Sequence, residues 1–172
     1  MDGHTLAPTL SILDEKTMAK MSAGLLMYRK IQKGLEVFLV HPGGPFWVKK
    51  DLGAWSIPKG EYRSDEEPLA AARREFREET GIEPGEGLRP LKPVKQAGGK
   101  WIRAWAFEGD ADPSAIRSNT FAMEWPPGSG REKTFPEVDR AAWFVMAEAR
   151  TKILKGQEAL LDELQATLEN ES

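Results

Sequence analysis

The sequence predicts an α+β fold in which a mixed β-sheet is sandwiched between helices. Three observations predict it. Short segments rich in β-branched and aromatic residues alternate with Gly and Pro turns across most of the chain. One strongly charged helical pattern sits in their midst, and a second helical pattern closes the C-terminus. The length of 172 residues suits one domain, read here as residues 21–172, preceded by a flexible arm over residues 1–20.

The elements follow in order. The arm mixes Pro, Thr, Asp and Lys without periodicity, and Met18 and Met21 are alternative starts. SAGLLMYR (22–29) and LEVFLVHP (35–42) read as strands joined by a turn at QKG. PGGPFW (42–47) is a loop continued by KKDLG, and AWSIP (54–58) is a short strand leading to Lys59 and Gly60. A helix follows, with Pro68 suited to its first turn and Gly81 to its C-terminal stop. Leu69, Ala72 and Phe76 form its apolar stripe. LKPVKQAGG and KWIRAWAFEGD read as two strands around Gly98 and Gly99, and DPSAIR as a helical turn. Residues 118–140 are rich in Pro and Gly and read as a long loop, expected to act as a lid over a substrate. AAWFVM is a strand, and AEARTKIL and GQEALLDELQATL are helices split near Gly156.

Composition narrows the function. A formal net charge of -3 without a basic block does not point to a nucleic-acid groove or a membrane-surface helix. Cysteine is absent, which excludes disulfides and thiolate metal sites and fits a reducing cytoplasm. No apolar run has transmembrane length, and the N-terminus lacks the pattern of a signal peptide. The expected partners are small molecules, and the chain is expected to be a monomer or homodimer.

RREFREETG (73–81) carries the most information. On a helix it places Glu75, Glu78 and Glu79 on one face, where like charges repel by a few tenths of a kcal/mol per pair. Either Arg73, Arg74 and Arg77 neutralise them as an ordinary solvated face, or a more highly charged group does. Extending the segment outward decides between the two. Gly60 is followed by five residues and Glu66, then by seven more and the run Arg74-Glu75-Phe76-Arg77-Glu78-Glu79-Thr80-Gly81-Ile82. This stretch resembles the box of the Nudix hydrolases, G-x5-E-x7-R-E-U-x-E-E-x-G-U, with Phe76 and Ile82 at the bulky apolar U positions. The strand order around it is similar as well.

The resemblance implies a Nudix fold and a Mg²⁺-dependent pyrophosphohydrolase, with Mn²⁺ as a substitute. The chemistry fits the residues: divalent ions neutralise phosphate oxygens and activate water, and Mg²⁺ prefers oxygen ligands. The implied metal ligands are the Gly60 carbonyl and the Glu75, Glu78 and Glu79 carboxylates, with Glu78 favoured and Glu75 an alternative general base. Arg74 pairs with Glu78 across one turn and orients it, and Glu66 pairs with an arginine. Many Nudix enzymes use a further Glu before a late strand ending in Trp. Glu137 in FPEVDRAAWF fits that place as metal ligand or base, and Glu124 in FAMEWPP competes with it.

Specificity lies outside the box. WSIPKG (55–60) resembles the entry to the box in dinucleoside polyphosphate and diphosphoinositol polyphosphate hydrolases, with Lys59 placed to touch a phosphate. The C-terminal segment resembles the tails of diadenosine-tetraphosphatase-like members. A Tyr that those members carry past the box is replaced here by Gly98 and Gly99, with Trp101 close by. Strand periodicity puts Trp101, Arg103 and Trp105 on one face, as a nucleobase and phosphate floor or as half of a sheet core. Lys49, Lys50 and Lys95 are possible polyphosphate contacts. His4 and His41 have no partner at metal-ligand spacing. The substrate this resemblance implies first is a dinucleoside polyphosphate such as diadenosine tetraphosphate. The alternatives are a nucleoside triphosphate, a nucleotide sugar, a diphosphoinositol polyphosphate, or a Nudix module that binds nucleotides without hydrolysis.

Overall fold

The structure is a computed structural model that describes residues 21–171; the expected N-terminal arm and His4 lie outside the described residues. Strand β1 (Met21–Ile31) buries both of its faces from Ser22 to Tyr28, as a central strand must. β2 (Gly34–Pro42) returns antiparallel beside it, with Tyr28 opposite Val37. β3 (Lys59–Glu61) takes over the same edge of β1 near its start, placing Gly60 opposite Ala23. Helix α1 spans Pro68–Thr80. β4 (Arg89–Pro90) and β5 (Val94–Lys95) are short pieces that both pair with β6 (Trp101–Glu108). β6 lies parallel to β1 on its other edge. β7 (Thr120–Glu124) and β8 (Glu132–Pro136) form a separate hairpin, and β9 (Val138–Val145) pairs with β2. The sheet order is β4-β6-β1-β2-β9. Helices α2 (Met146–Lys152) and α3 (Glu158–Glu169) end the chain.

A core lies on each face of the sheet. Ala71, Ala72 and Phe76 of α1 pack on Leu25, Met27, Phe38 and Phe107. Leu160, Leu161 and Leu164 of α3 pack on the opposite face with Leu39, Ile57, Ile102 and Phe144. This is the predicted helix–sheet–helix sandwich. Among the described residues, no helix is long and apolar enough to cross a membrane.

Helix α1 has the ends its sequence predicts. Glu67 caps it by accepting from the Ala70 N–H at 2.8 Å, and Pro68 occupies the first turn, where its missing N–H costs nothing. Gly81 ends it at φ 74°, with its N–H on the Arg77 carbonyl.

Three elements differ from expectation. The strand expected over 54–58 is reduced to single bridges, Val40 with Ser56 and Trp55 with Ile153, and the ladder to β1 starts only after Pro58, which has no N–H to give. The strand expected over 91–99 is reduced to β5 and a turn, with β4 just before it, since Pro90 and Pro93 cannot extend a ladder. The loop expected over 118–140 is largely an ordered hairpin. Phe121 faces Phe135 across it, and Pro126, Pro127, Gly128 and Gly130 are gathered at its tip, where the Glu124 carboxylate accepts from the N–H groups of Gly128 and Gly130.

Candidate active site

The site begins with a residue that has no side chain. A Cβ on Gly60 would lie 1.9–2.3 Å from the Glu75 carboxylate, so α1 meets β3 here at a distance only glycine allows. Glu75 is 8% exposed, an unusual burial for a carboxylate. Arg74 accounts for part of it. Its Nε and Nη2 donate to the two oxygens of Glu66 at 2.9 and 3.2 Å. Its Nη1 reaches Glu75 at 3.1 Å and Glu78 at 3.3 Å. One guanidinium thus ties three carboxylates together, through a fork that a lysine does not have. The Glu66 hydrogen bond raises the Arg74 pKa, and Arg74 in turn holds Glu66 below the usual carboxylate range.

Glu79 accepts from the Lys59 backbone N–H at 3.2 Å. Burial pushes its pKa up to about 8, against the opposing charge of Lys59. Burial pushes the Lys59 ammonium down. Glu75 is raised by burial, which Arg74 opposes and the charges of Glu78 and Glu137 reinforce. Glu137 is raised by burial and then by Glu78. Glu75, Glu79 and Glu137 therefore each feel the charge of neighbouring carboxylates, Glu78 among them for Glu75 and Glu137.

Glu137 sits between β8 and β9, fastened by residues that sequence reading missed. The Asn119 N–H donates to the Glu78 carbonyl at 2.8 Å, and the Glu137 N–H donates to the Asn119 carbonyl at 2.8 Å. The peptide of Asn119 thereby joins the box helix to Glu137. Ser118 Oγ accepts from the Val138 N–H beside it. The turn-forming pair Ser-Asn was the available signal, but it lay inside a segment read as loop. Glu124, the competitor of Glu137, is held at the opposite end of the hairpin by its own tip.

Among the described residues, no three acidic or imidazole groups already form an ion-holding set, and Arg74 bridges Glu75 and Glu78 instead. The residues still fit a hard divalent cation. The donors are oxygens, the raised pKa values of Glu75 and Glu79 mark charge that burial leaves poorly solvated, and Gly60 clears the approach to Glu75.

The other predicted residues divide. Arg103 is in register with Ala23, which is in register with Gly60, so it lies exposed on the face of Gly60, about 10 Å across two strand spacings. Trp101 lies on that face too, 37% exposed, with Lys95 Nζ 5.9 Å from its ring. Trp105 is buried in the core beneath α1, so the three do not form one open floor. Lys59 lies among the charges of Glu79, Glu75 and Glu61. Lys49 is exposed on the loop after β2. His41 is fully buried, with Nδ1 2.9 Å from Asp139 and Nε2 2.6 Å from the Lys50 carbonyl.

A family model described as NUDIX domain matches residues 18–164. A search of curated proteins finds no match. Among solved structures, the chain is similar to a C. elegans Ap4A hydrolase in a binary complex, with TM-score 0.61, 23% identity and coverage of 88% of this chain and 99% of that one. It is similar to the NUDIX domain of Shewanella oneidensis NrtR complexed with ADP ribose, with TM-score 0.62, 17% identity and coverage of 94% and 97%. The C-terminal domain of mouse MUTYH, in complex with human PCNA, has TM-score 0.55, 17% identity and coverage of 87% and 90%. At these identities the likeness is one of fold.

Proposed function

The chain belongs to the Nudix family, and we propose that it is a pyrophosphohydrolase that cleaves dinucleoside polyphosphates such as diadenosine tetraphosphate with Mg²⁺, or Mn²⁺ in its place. The observation that carries the hydrolytic reading is the complete box folded so that Glu75, Glu78, Glu79 and Glu137 share one electrostatic neighbourhood beside Gly60. The substrate reading draws on the WSIPKG entry and on the likeness to an Ap4A hydrolase.

In this proposal the Gly60 carbonyl and the four carboxylates would hold the cation. When bound, it would neutralise phosphate oxygens and lower the pKa of water. The chain's residues do the rest. Arg74 is a positioning residue, because it holds Glu66, Glu75 and Glu78 with one guanidinium. Glu137 takes the proton of the attacking water, with Glu75 the alternative, and a raised carboxylate pKa suits a base working near neutrality. A bond forms from water oxygen to phosphorus, and the bridging oxygen leaves with the electrons of the broken anhydride bond. Arg103, Lys59 and Lys49 supply positive charge to the remaining phosphates, and Trp101 offers a face to a base.

The test is incubation with diadenosine tetraphosphate and Mg²⁺, with products resolved by anion exchange. Asymmetric cleavage yields ATP and AMP, and Glu78→Gln lowers turnover by orders of magnitude with the fold intact. Unchanged turnover in Glu78→Gln refutes the assignment of that residue. A nucleotide sugar is the second reading, favoured by the likeness to the NrtR domain bound to ADP ribose. Cleavage of ADP-ribose in preference to the tetraphosphate would establish it.

A further inference from the structure

The loop between β2 and β3 stands on the residues around Glu137. At its first foot, the Gly43 N–H donates to the Glu137 carbonyl at 2.9 Å. A Cβ on Gly43 would lie 2.0 Å from the Pro136 oxygen, so the contact admits only glycine. At its second foot, the Lys50 carbonyl accepts from His41 Nε2 at 2.6 Å, and the Nδ1 of the same buried ring meets Asp139 at 2.9 Å. The two feet thus rest on the residues that flank Val138.

Between its feet the loop runs along the hairpin. Gly44 lies against the Phe121 ring near the hairpin base, and Phe46 meets Trp125 edge-to-face near the tip, with centroids 5.4 Å apart at 87°. Trp47 turns inward to pack on the core, whereas Phe46 stays 58% exposed. An exposed aromatic ring held at a fixed angle on a doubly anchored loop has lost little further freedom to give up on binding. Cationic Lys49 follows on the same loop. Trp125 lies six residues beyond Asn119 and Phe46 only three beyond Gly43, so the ring pair stands on the order of 10–15 Å from the level of Glu137. A nucleoside attached directly to the scissile phosphate does not reach that far, but one separated by further phosphates does.

We propose that Phe46 and Trp125 form a stacking subsite for the far heteroaromatic base of an extended polyphosphate substrate, with Lys49 beside the intervening phosphates. The inference rests on the polyphosphate hydrolase reading above and names which parts of the chain recognise the second base.

The test compares diadenosine tetraphosphate with adenosine tetraphosphate, which has the same phosphates and one base. Binding is measured by calorimetry with Ca²⁺, and kinetics are measured separately with Mg²⁺. In the wild-type chain, the second base tightens binding by about tenfold, the lower end of what stacking on an aromatic ring contributes. Phe46→Ala and Phe46→Leu erase that ratio, and Phe46→Trp keeps it. Phe46→Leu retains an apolar contact with Trp125, so its loss of the ratio reports on the aromatic face and not on hairpin packing. A ratio equal in wild type and Phe46→Ala overturns the subsite, even if the tetraphosphate is hydrolysed. A ratio lost in Phe46→Ala without any turnover by wild type keeps the subsite and overturns the hydrolase assignment. If the wild-type chain binds neither compound, both fall.

Discussion

At Gly60 a single hydrogen atom stands where any other residue would place carbon within 1.9 Å of Glu75. Gly60→Ala must therefore push the Glu75 carboxylate aside or open the contact between β3 and α1. Displacing a reacting group by about 1 Å costs on the order of 100-fold in rate. We expect at least that loss of kcat/KM, with a circular dichroism spectrum like that of wild type; full activity would show that Glu75 need not sit where the structure has it. Glu79 gives a second prediction, for the chain with divalent ions chelated. Its folded pKa of about 8 lies above the ordinary glutamate value of 4.5. Between those values the folded chain binds more protons than the unfolded chain, so stability falls as pH rises. Glu75 and Glu137 are raised as well and act with the same sign. Lys59 is lowered, and its effect has the opposite sign and belongs to the range from its folded pKa up to 10.5. The test window is pH 5 to 7, between the ordinary glutamate value and the folded value of Glu79. The melting temperature should fall across it, and Glu79→Gln should flatten the slope; a rise with pH in the wild-type chain would contradict the burial of these carboxylates.

At the scale of elements, the loop leading to Gly60 is held from behind by one buried amide. Gln157 accepts from the Ile57 N–H at 3.0 Å and donates to Ser56 Oγ and Gln96 Oε1, each at 2.9 Å. It thereby fastens the start of α3 to the segment that carries Lys59 and Gly60. Gln157→Ala leaves the buried Ile57 N–H without a partner, a loss of about 1–3 kcal/mol. Urea unfolding measures it, and an unchanged midpoint would mean that the network is not coupled to the fold. None of this was legible from the sequence, because Gln157 and Ile57 are 100 positions apart and an amide carries no periodicity. The helix carrying the box was legible, because Glu67, Pro68 and Gly81 mark its ends locally and the apolar residues recur at helical spacing. The hairpin was not. Its strands alternate around Phe121, Met123 and Phe135, but the Pro-Pro-Gly tip dominated the reading. Glu137 was legible by resemblance, and Glu75, Glu78 and Glu79 by spacing. Their fastening through Asn119 depends on backbone groups that any residue type carries.

On the scale of the whole molecule, the sheet separates two cores with different duties. The face under α3 is apolar apart from the Gln157 network and holds the fold together, whereas the face under α1 ends in a group of carboxylates whose charges oppose one another. The chain is already negative, at -3, and its proposed substrate is a polyanion. Folding without cations therefore gathers charge that the unfolded chain keeps apart, and the site weakens the structure that carries it. A divalent ion that binds the folded state alone reverses this by mass action. At 100 times its dissociation constant it adds about 2.7 kcal/mol. In a domain of this size that corresponds to a rise in melting temperature of about 5–10 °C. Mg²⁺ titrated into the chelated protein should give this rise, and the double variant Glu75→Gln, Glu78→Gln should not show it although its own cation-free melting temperature is higher. Polyphosphate should bind the wild-type chain only once the cation is present, because the ionised carboxylates of the site repel it otherwise. An equal rise in the wild type and the double variant would place the ion elsewhere on the molecule and remove these carboxylates from the proposed chemistry.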